Sequence, residues 1–204
     1  TFDYIIIGAG TAGCVLANRL TTDGKNNVAL IEAGKPSDIW KVSMPLAILY
    51  TMHDPKYNYK YYSEPEPQLH NRKLFCPRGK MIGGCSAHNG MVFVRGNRND
   101  YERWEGFELK SWSYDKVLPY FKKIENWSEG ENQYRGSLGL LPVSQSKNTN
   151  PLFKSFLGAA SEAGYKINPD MNGEYQEGFG MFDTTIHNGK RASMSKYYLD
   201  PAKK

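Results

Sequence analysis

Near the start of the chain the apolar run Tyr4-Ile5-Ile6-Ile7 leads directly into Gly8-Ala9-Gly10-Thr11-Ala12-Gly13, which fits G-x-G-x-x-G. A helix-forming stretch follows, Cys14 to Leu20, and then a second apolar run, Val28-Ala29-Leu30-Ile31, that ends on Glu32. Strand, glycine turn, helix and strand in that order make a βαβ unit. Gly8 permits the tight turn, Gly10 lets the backbone approach a pyrophosphate, and Gly13 lets the helix lie close on the strand. The free N–H groups and positive dipole end of the helix then face the phosphates. Glu32 follows the middle glycine by about 20 residues, the spacing of a carboxylate that accepts from ribose hydroxyls. A glycine turn used only for packing would leave Glu32 without a role. The stretch predicts a dinucleotide site on an α/β, Rossmann-like domain, with the first strand buried on both faces.

Composition narrows the partners. The 204 residues can bury a core and suggest one or two domains. The net charge of +5 has no polybasic run behind it. Arg95, Arg98 and Arg103 are interleaved with Asp100, Glu102 and Glu105, which is the pattern of a solvated surface, so nucleic acid is not an expected partner. Cys14, Cys76 and Cys85 are an odd set without C-x-x-C spacing. They argue against a disulfide framework or a metal site and for a reduced, cytoplasmic setting. No apolar run reaches the ~20 residues that span a bilayer, so no transmembrane segment is expected, although a peripheral or organellar placement stays open.

A second glycine-rich segment runs Arg78-Gly79-Lys80-Met81-Ile82-Gly83-Gly84-Cys85-Ser86-Ala87-His88-Asn89-Gly90-Met91. Glycines this dense do not suit a helix, where each costs about 1 kcal/mol relative to alanine. They point to backbone pressed close to a ligand, or to turns with positive φ. Gly84-Cys85-Ser86 reads as the opening of a helix, with further N–H groups for an anion. One glycine turn can hold a pyrophosphate, so a second implies a larger cofactor. A plain nicotinamide dehydrogenase would leave it unused.

These residues carry a family resemblance. Asp3 to Gly13 with Glu32-Ala33-Gly34 resembles the FAD-binding start of the glucose–methanol–choline oxidoreductases. Arg78-Gly79-Lys80 through Gly83-Gly84, Asn89-Gly90-Met91 and Arg95-Gly96 is similar to that family's first signature. The likeness continues through Asp100-Tyr101, Trp104, Trp112-Ser113-Tyr114, Pro119-Tyr120 and Asn150-Pro151-Leu152 to Gly178-Phe179-Gly180 and Arg191-Ala192-Ser193. Gly83 to Asn89 is similar to choline-oxidising members, in which the matching histidine carries FAD through its 8α-methyl.

The resemblance implies FAD, held by Gly8, Ala9, Gly10, Thr11, Ala12, Gly13, Glu32 and Ala33 on one side. On the other side it implies Arg78, Gly79, Gly83, Gly84, Cys85, His88, Asn89, Gly90 and Met91. His88 is either a covalent tether or a residue packed beside the ring, and Asn89 is implied near the flavin and the substrate oxygen. The implied activity is oxidation of a primary alcohol, choline-like among the candidates, to an aldehyde by hydride transfer to FAD. Oxygen or an electron-acceptor chain would then remove the electrons. Family members are much longer than this chain, and their later half holds the general-base histidine. His53, His70 and His187 lie outside the matching motif, so no catalytic residue is assigned. A catalytically incomplete FAD-binding fragment is the alternative. Lyase or photochemical members would differ mainly in that later half.

The layout expected is an FAD-binding domain over residues 1–143 and the incomplete start of an α+β substrate domain, with an antiparallel sheet, over 144–204. Met44 to Tyr50 reads as a short buried helix. Ser113 to Asn126 reads as a helix kinked or begun at Pro119. Residues 130–142 read as a surface excursion. A capped helix follows, with Asn150 as N-cap, Pro151 first, and Gly164 as stop. Ser193 to Leu199 reads as one more helix. Apolar surface left open by an incomplete fold would favour poor solubility or association.

Overall fold

The computed structural model describes residues 1–203. The chain forms two compact units, Thr1–Met91 with Ile186–Lys204, and Val92–Thr185.

The first unit begins with β1 (Tyr4–Ile7), α1 (Thr11–Thr21) and β2 (Val28–Ile31). The strands are parallel, with Tyr4 opposite Val28 and Ile7 opposite Ile31. α1 can lie close to β1 because Gly13 lacks a side chain: a Cβ there would strike the Gly8 carbonyl. Cys14, Ala17 and Asn18 form the buried side of α1, which packs against a π-helical turn, Ser195–Leu199. There Asn18 Nδ2 donates to the Tyr198 carbonyl at 2.9 Å. Burial pushes the Cys14 thiol up to about 11, which keeps it neutral and makes it a packing residue.

The expectation for the first strand fails. Ile6 is buried, but Ile5 and Ile7 are 62% and 78% exposed. Strand side chains alternate between faces, β1 pairs with β2 alone, and α1 packs on the pair, so one face stands open among the described residues.

Beyond β2 lie α2 (Trp40–Ser43), a 3-10 turn at Pro45–Ala47, and α3 (Ile48–Met52). The buried helix expected over residues 44–50 is not formed. Only Ala47 and Thr51, one turn apart, face inward, while Leu46 is 84% exposed. β3 (Tyr61–Tyr62) and β4 (Phe75–Cys76) pair antiparallel, and Tyr59 stacks on Tyr61. Val42, Met81 and Ala87 form a small core with Ile39 and Tyr57 against it.

The second unit contains β5 (Val92–Phe93), α4 (Arg98–Gly106), α5 (Tyr114–Ile124), β6 (Glu125–Trp127), β7 (Leu141–Gln145), α6 (Pro151–Glu162) and β8 (Asp183–Thr184). Its sheet runs β5-β8-β7-β6, antiparallel except for the parallel β6–β7 pair, so it is mixed rather than wholly antiparallel. A boundary at 143/144 would cut through β7. The chain after Ile186 returns to the first unit as β9 (Ile186–His187), β10 (Lys190–Arg191), the π-helical turn and α7 (Asp200–Ala202). The boundary therefore follows sheet pairing, not a single point in the chain. The helix expected over Ser193 to Leu199 takes the form of that π-helical turn.

Helix ends follow local chemistry. Asn150 Oδ1 accepts from the Leu152 N–H at 2.9 Å, and Gly164 has φ +84°. α6 buries Ala160 but leaves Phe156 exposed. α5 stops at Ile124, short of Asn126, because Glu125 to Trp127 pair with Leu141 to Val143. Pro119 lies inside the helix and does not mark its start.

The segment expected as a surface excursion supplies the centre of the second unit. Arg135 is fully buried, with its Cζ 4.1 Å from the Trp127 ring centroid. Its Nε and Nη2 donate to Glu125, at 3.1 and 3.2 Å, and Nη1 donates to Asp170 and Asp183, both at 2.7 Å. Arg95 Nη2 donates to the same Glu125 at 2.6 Å. These carboxylates raise the Arg135 pKa despite burial, because they favour its charged form.

Candidate cofactor-binding site

All the residues singled out in the sequence, from Gly8 to Met91, lie in the first unit. The structure brings the two glycine segments into direct contact. The Gly83 N–H donates to the Ala9 carbonyl at 2.7 Å, and a Cβ on Gly84 would stand 2.8 Å from Gly10 Cα. Gly83 and Gly84 have φ of +91° and +53°, so both occupy the left-handed region that favours glycine. Part of the glycine density at 78–91 thus serves packing against the first turn. Gly79 belongs to the same packing, since a Cβ there would meet the Gly84 backbone.

The first turn is held from behind and open in front. Glu32 Oε2 accepts from the Ala9 N–H, and Oε1 accepts from the Gly34 N–H, both at 2.8 Å. Its carboxylate therefore braces the turn, a role the spacing did not announce, and each oxygen keeps a further lone pair for a hydroxyl. Gly10 is the N-cap residue of α1, and no side chain caps that helix. A Cβ on Gly8 or Gly10 would meet nothing within 4 Å. The first-turn N–H groups of α1 have no intrahelical acceptors, which leaves them for an anion. Thr11 and Ala12 follow in the first turn of α1, and Ala33 lies between Glu32 and Gly34.

The helix opening read at Gly84-Cys85-Ser86 takes the form of a 3-10 turn, Gly84–Ala87. The turn is pinned at its sides. Ser86 Oγ donates to the Gly83 carbonyl and accepts from the Met194 N–H, and the Ile82 N–H donates to the Lys35 carbonyl. Arg78 donates its backbone N–H to Asn58 Oδ1 and its Nη1 to the Pro77 carbonyl. Cys85 is exposed, and its Sγ accepts from the Gly79 N–H at 3.5 Å.

His88 is buried, and its Nδ1 has no hydrogen-bond partner. Burial, then the charges of Arg191 and Arg78, push its pKa below the ordinary value, so the imidazole is neutral near pH 7. Asn89 and Gly90 are exposed next to it, and the segment ends on Met91 with φ +60°. A non-glycine residue in that region carries strain of about 1–3 kcal/mol, a mark of sites where geometry matters. Asn89 Oδ1 accepts from the Met91 N–H at 3.1 Å and from Arg191 Nη1 at 2.9 Å.

Arg191 is the residue whose role at the site sequence reasoning missed. Its signals were its place in the Arg191-Ala192-Ser193 stretch of the family resemblance and the lack of an acid nearby in the chain. The other histidines lie elsewhere: His53 stacks on Phe75, and His187 meets Tyr197 edge-on. No group of three or more metal-ligating side chains occurs among the described residues. No helix among them is long and apolar enough to cross a membrane.

A family model described as GMC oxidoreductase matches residues 2–204. The oxygen-dependent choline dehydrogenase of Rhizobium etli is 48% identical over 202 residues, 99% of this chain and 37% of that protein. Mitochondrial choline dehydrogenase of Mus musculus is 46% identical over 208 residues, 98% of this chain and 35% of that protein. Among solved structures, pyridoxine 4-oxidase from Mesorbium loti superposes with a TM-score of 0.92 at 28% identity, covering 100% of this chain and 40% of that one. A formate oxidase of Aspergillus oryzae, in a variant studied for its effect on FAD modification, gives 0.87 at 25% identity, covering 99% and 37%. This chain thus spans little more than a third of the curated relatives it matches. The fold is the mixed α/β fold of the N-terminal portion of those enzymes. With the family model and the choline dehydrogenases both matched over nearly the whole length, the chain belongs to the GMC oxidoreductase family.

Proposed function

We propose that this chain forms the FAD-holding part of an oxidoreductase acting on the CH–OH group of a primary alcohol, with choline-like alcohols the first candidates. The observation that carries this reading is the docking of Gly83–Gly84 on Ala9–Gly10. It joins an open, uncapped helix start and a buried neutral histidine in one site. A nicotinamide cofactor would need only the first of these.

The residues fit FAD. The α1 N-terminus, with Gly10, Thr11, Ala12 and Gly13, would receive the pyrophosphate, and Glu32 with Ala33 the ribose. Arg78, Gly79, Gly83, Gly84 and Cys85 would line the middle of the site, and His88, Asn89, Gly90 and Met91 the flavin end. The unpartnered His88 Nδ1 is the kind of buried polar atom that a ligand completes. When bound, FAD supplies the acceptor for hydride from the alcohol carbon. The chain's own part is to bind and orient: fixed N–H groups hold the phosphates, and Asn89 offers a donor at the flavin end. We place the general base outside this chain, since His53, His70 and His187 all lie outside the matching motif. Oxygen or a protein acceptor would reoxidise the cofactor. The cytoplasmic placement rests on three free thiols.

His88 is proposed as the covalent tether: its neutral imidazole nitrogen would bond the flavin 8α-carbon as that methyl group and the imidazole each give up a proton, and the two electrons left on the flavin would pass to the oxygen or acceptor that reoxidises the cofactor. The test is acid precipitation of the purified chain, followed by flavin absorbance in pellet and supernatant. Flavin in the pellet that is lost in His88→Ala supports the tether. Flavin wholly in the supernatant retains FAD and removes the covalent link.

A second reading is favoured by the exposed Ile5, Ile7 and Ile31 and by the chain's share of its relatives' length. In it the chain binds FAD without turnover of its own and associates through that apolar surface. Alcohol-dependent bleaching of flavin bound to this chain alone rules it out, and a sharp monomer peak on sizing counts against the association.

A further inference from the structure

Arg191 is buried, and its donors are only partly used. Nε donates to the Val42 carbonyl at 3.0 Å, and Nη1 donates to the Asn89 carbonyl and Oδ1 at 2.8 and 2.9 Å. Nη2 has no partner. No carboxylate lies within ion-pair distance of it among the described residues, and burial pulls its pKa down to about 10, still charged near pH 7. A buried cation without a counter-ion is costly, and folds keep one only where its charge or geometry is used.

The geometry shows what is used. An Asn side chain presents either its oxygen or its NH2 group, and the two are close to isosteric. Here the Asn89 oxygen already accepts from Met91 N–H and Arg191 Nη1, so the NH2 group is what Asn89 has left for a ligand. Lysine could supply the charge but not the planar fork that reaches Val42 and Asn89 together. We propose that Arg191 is a positioning residue: it locks Asn89 with its NH2 outward and lends the flavin end a positive charge that no protein carboxylate cancels. The ligand class is an electron-accepting ring that gains negative charge on reduction. That part rests on the FAD reading above, whereas the lock on Asn89 does not.

The test compares the chain with Arg191→Lys and Arg191→Met. In the ligand-free chain, side-chain amide NMR should show one dispersed Asn89 NH2 pair for the parent and an averaged pair for both variants. The His88 titration should move up in Arg191→Met and stay near the parent value in Arg191→Lys. With FAD added, Arg191→Met should weaken binding of reduced relative to oxidised flavin at least tenfold, about 30 mV for a two-electron couple, with Arg191→Lys close to the parent. Unchanged Asn89 signals in both variants overturn the lock, even if the parent binds FAD. An unchanged affinity ratio in Arg191→Met overturns the charge. If the parent binds no FAD yet the variants free Asn89, the lock stands, the charge role falls and so does the FAD reading for this chain. Should Arg191→Met not fold, Arg191→Lys alone still decides the lock.

Discussion

Arg135 in the second unit and Arg191 in the first are both buried, and the two are treated in opposite ways. Arg135 in the second unit is fully enclosed and meets Glu125, Asp170 and Asp183. Arg191 in the first unit is as deeply buried and meets only carbonyl oxygens. The pKa of the first rises and that of the second falls, although burial opposes charge in both. A closed network of opposite charges is a structural device, complete without a ligand. An arginine held by neutral acceptors beside an exposed asparagine and a partnerless imidazole is incomplete, and it bonds the end of the second glycine segment. The comparison separates what holds this chain together from what it holds.

The largest effect should come from opening the closed network. Arg135→Met leaves Asp170 and Asp183 without their buried cation and Glu125 with Arg95 alone, and should cost about 3–5 kcal/mol, read as a lower urea midpoint, with no direct effect on the proposed flavin site. A loss under 1 kcal/mol would mean that the network is not the support the geometry indicates. Gly84→Ala should follow. Its φ of +53° and the nearness of Gly10 Cα leave no room for a methyl group. A cost of about 1–3 kcal/mol is expected, together with lost flavin binding, as the two segments part.

Gly10→Ala sharpens the contrast. The added Cβ meets nothing in the protein, and the residue has φ −71°, so the melting temperature should hold within error. FAD affinity should nonetheless drop at least tenfold, because the methyl group occupies the space proposed for the pyrophosphate. Equal affinity would place the phosphates elsewhere. Glu32→Gln should cost about 1 kcal/mol, since one of the two backbone N–H groups then faces an NH2 donor and the other keeps only a neutral oxygen.

The smallest effect is on pH dependence. His88 has a pKa below 6.5 in the fold, so the unfolded chain takes up a proton first as the pH falls. Stability of the first unit should therefore be full above about pH 6.5 and decline below it, lost progressively as the pH falls through the lowered value. His88→Ala should remove that share of the slope in urea midpoints measured between pH 5 and 8.

Much of this molecule was legible from residue order, and the limits are instructive. The βαβ opening, the meeting of a glycine turn with a helix start, and the Asn150–Pro151 cap are local, so spacing and backbone preference were enough to read them. The helix over Met44 to Tyr50 misled, because an apolar run says that side chains avoid water without saying which of them find cover. The stretch around Gly130 to Pro142 misled in the opposite sense. Its glycines look like those of a loop, but Gly136 and Gly139 are pressed against the backbone of residues 122 and 124, and Arg135 between polar neighbours becomes the buried centre.

The sequence by itself determined the turn chemistry, the helix starts and the family, because each depends on residues within a few positions or on an ordered set of motifs. Only the tertiary structure decided that Glu32 braces the turn it follows, that the second glycine segment packs on the first, and that Arg191 reaches Asn89 across 102 residues of chain. Those pairings join groups far apart in the chain, and no local preference records which of many buried donors will meet which acceptor. The fold alone brings them within 3 Å.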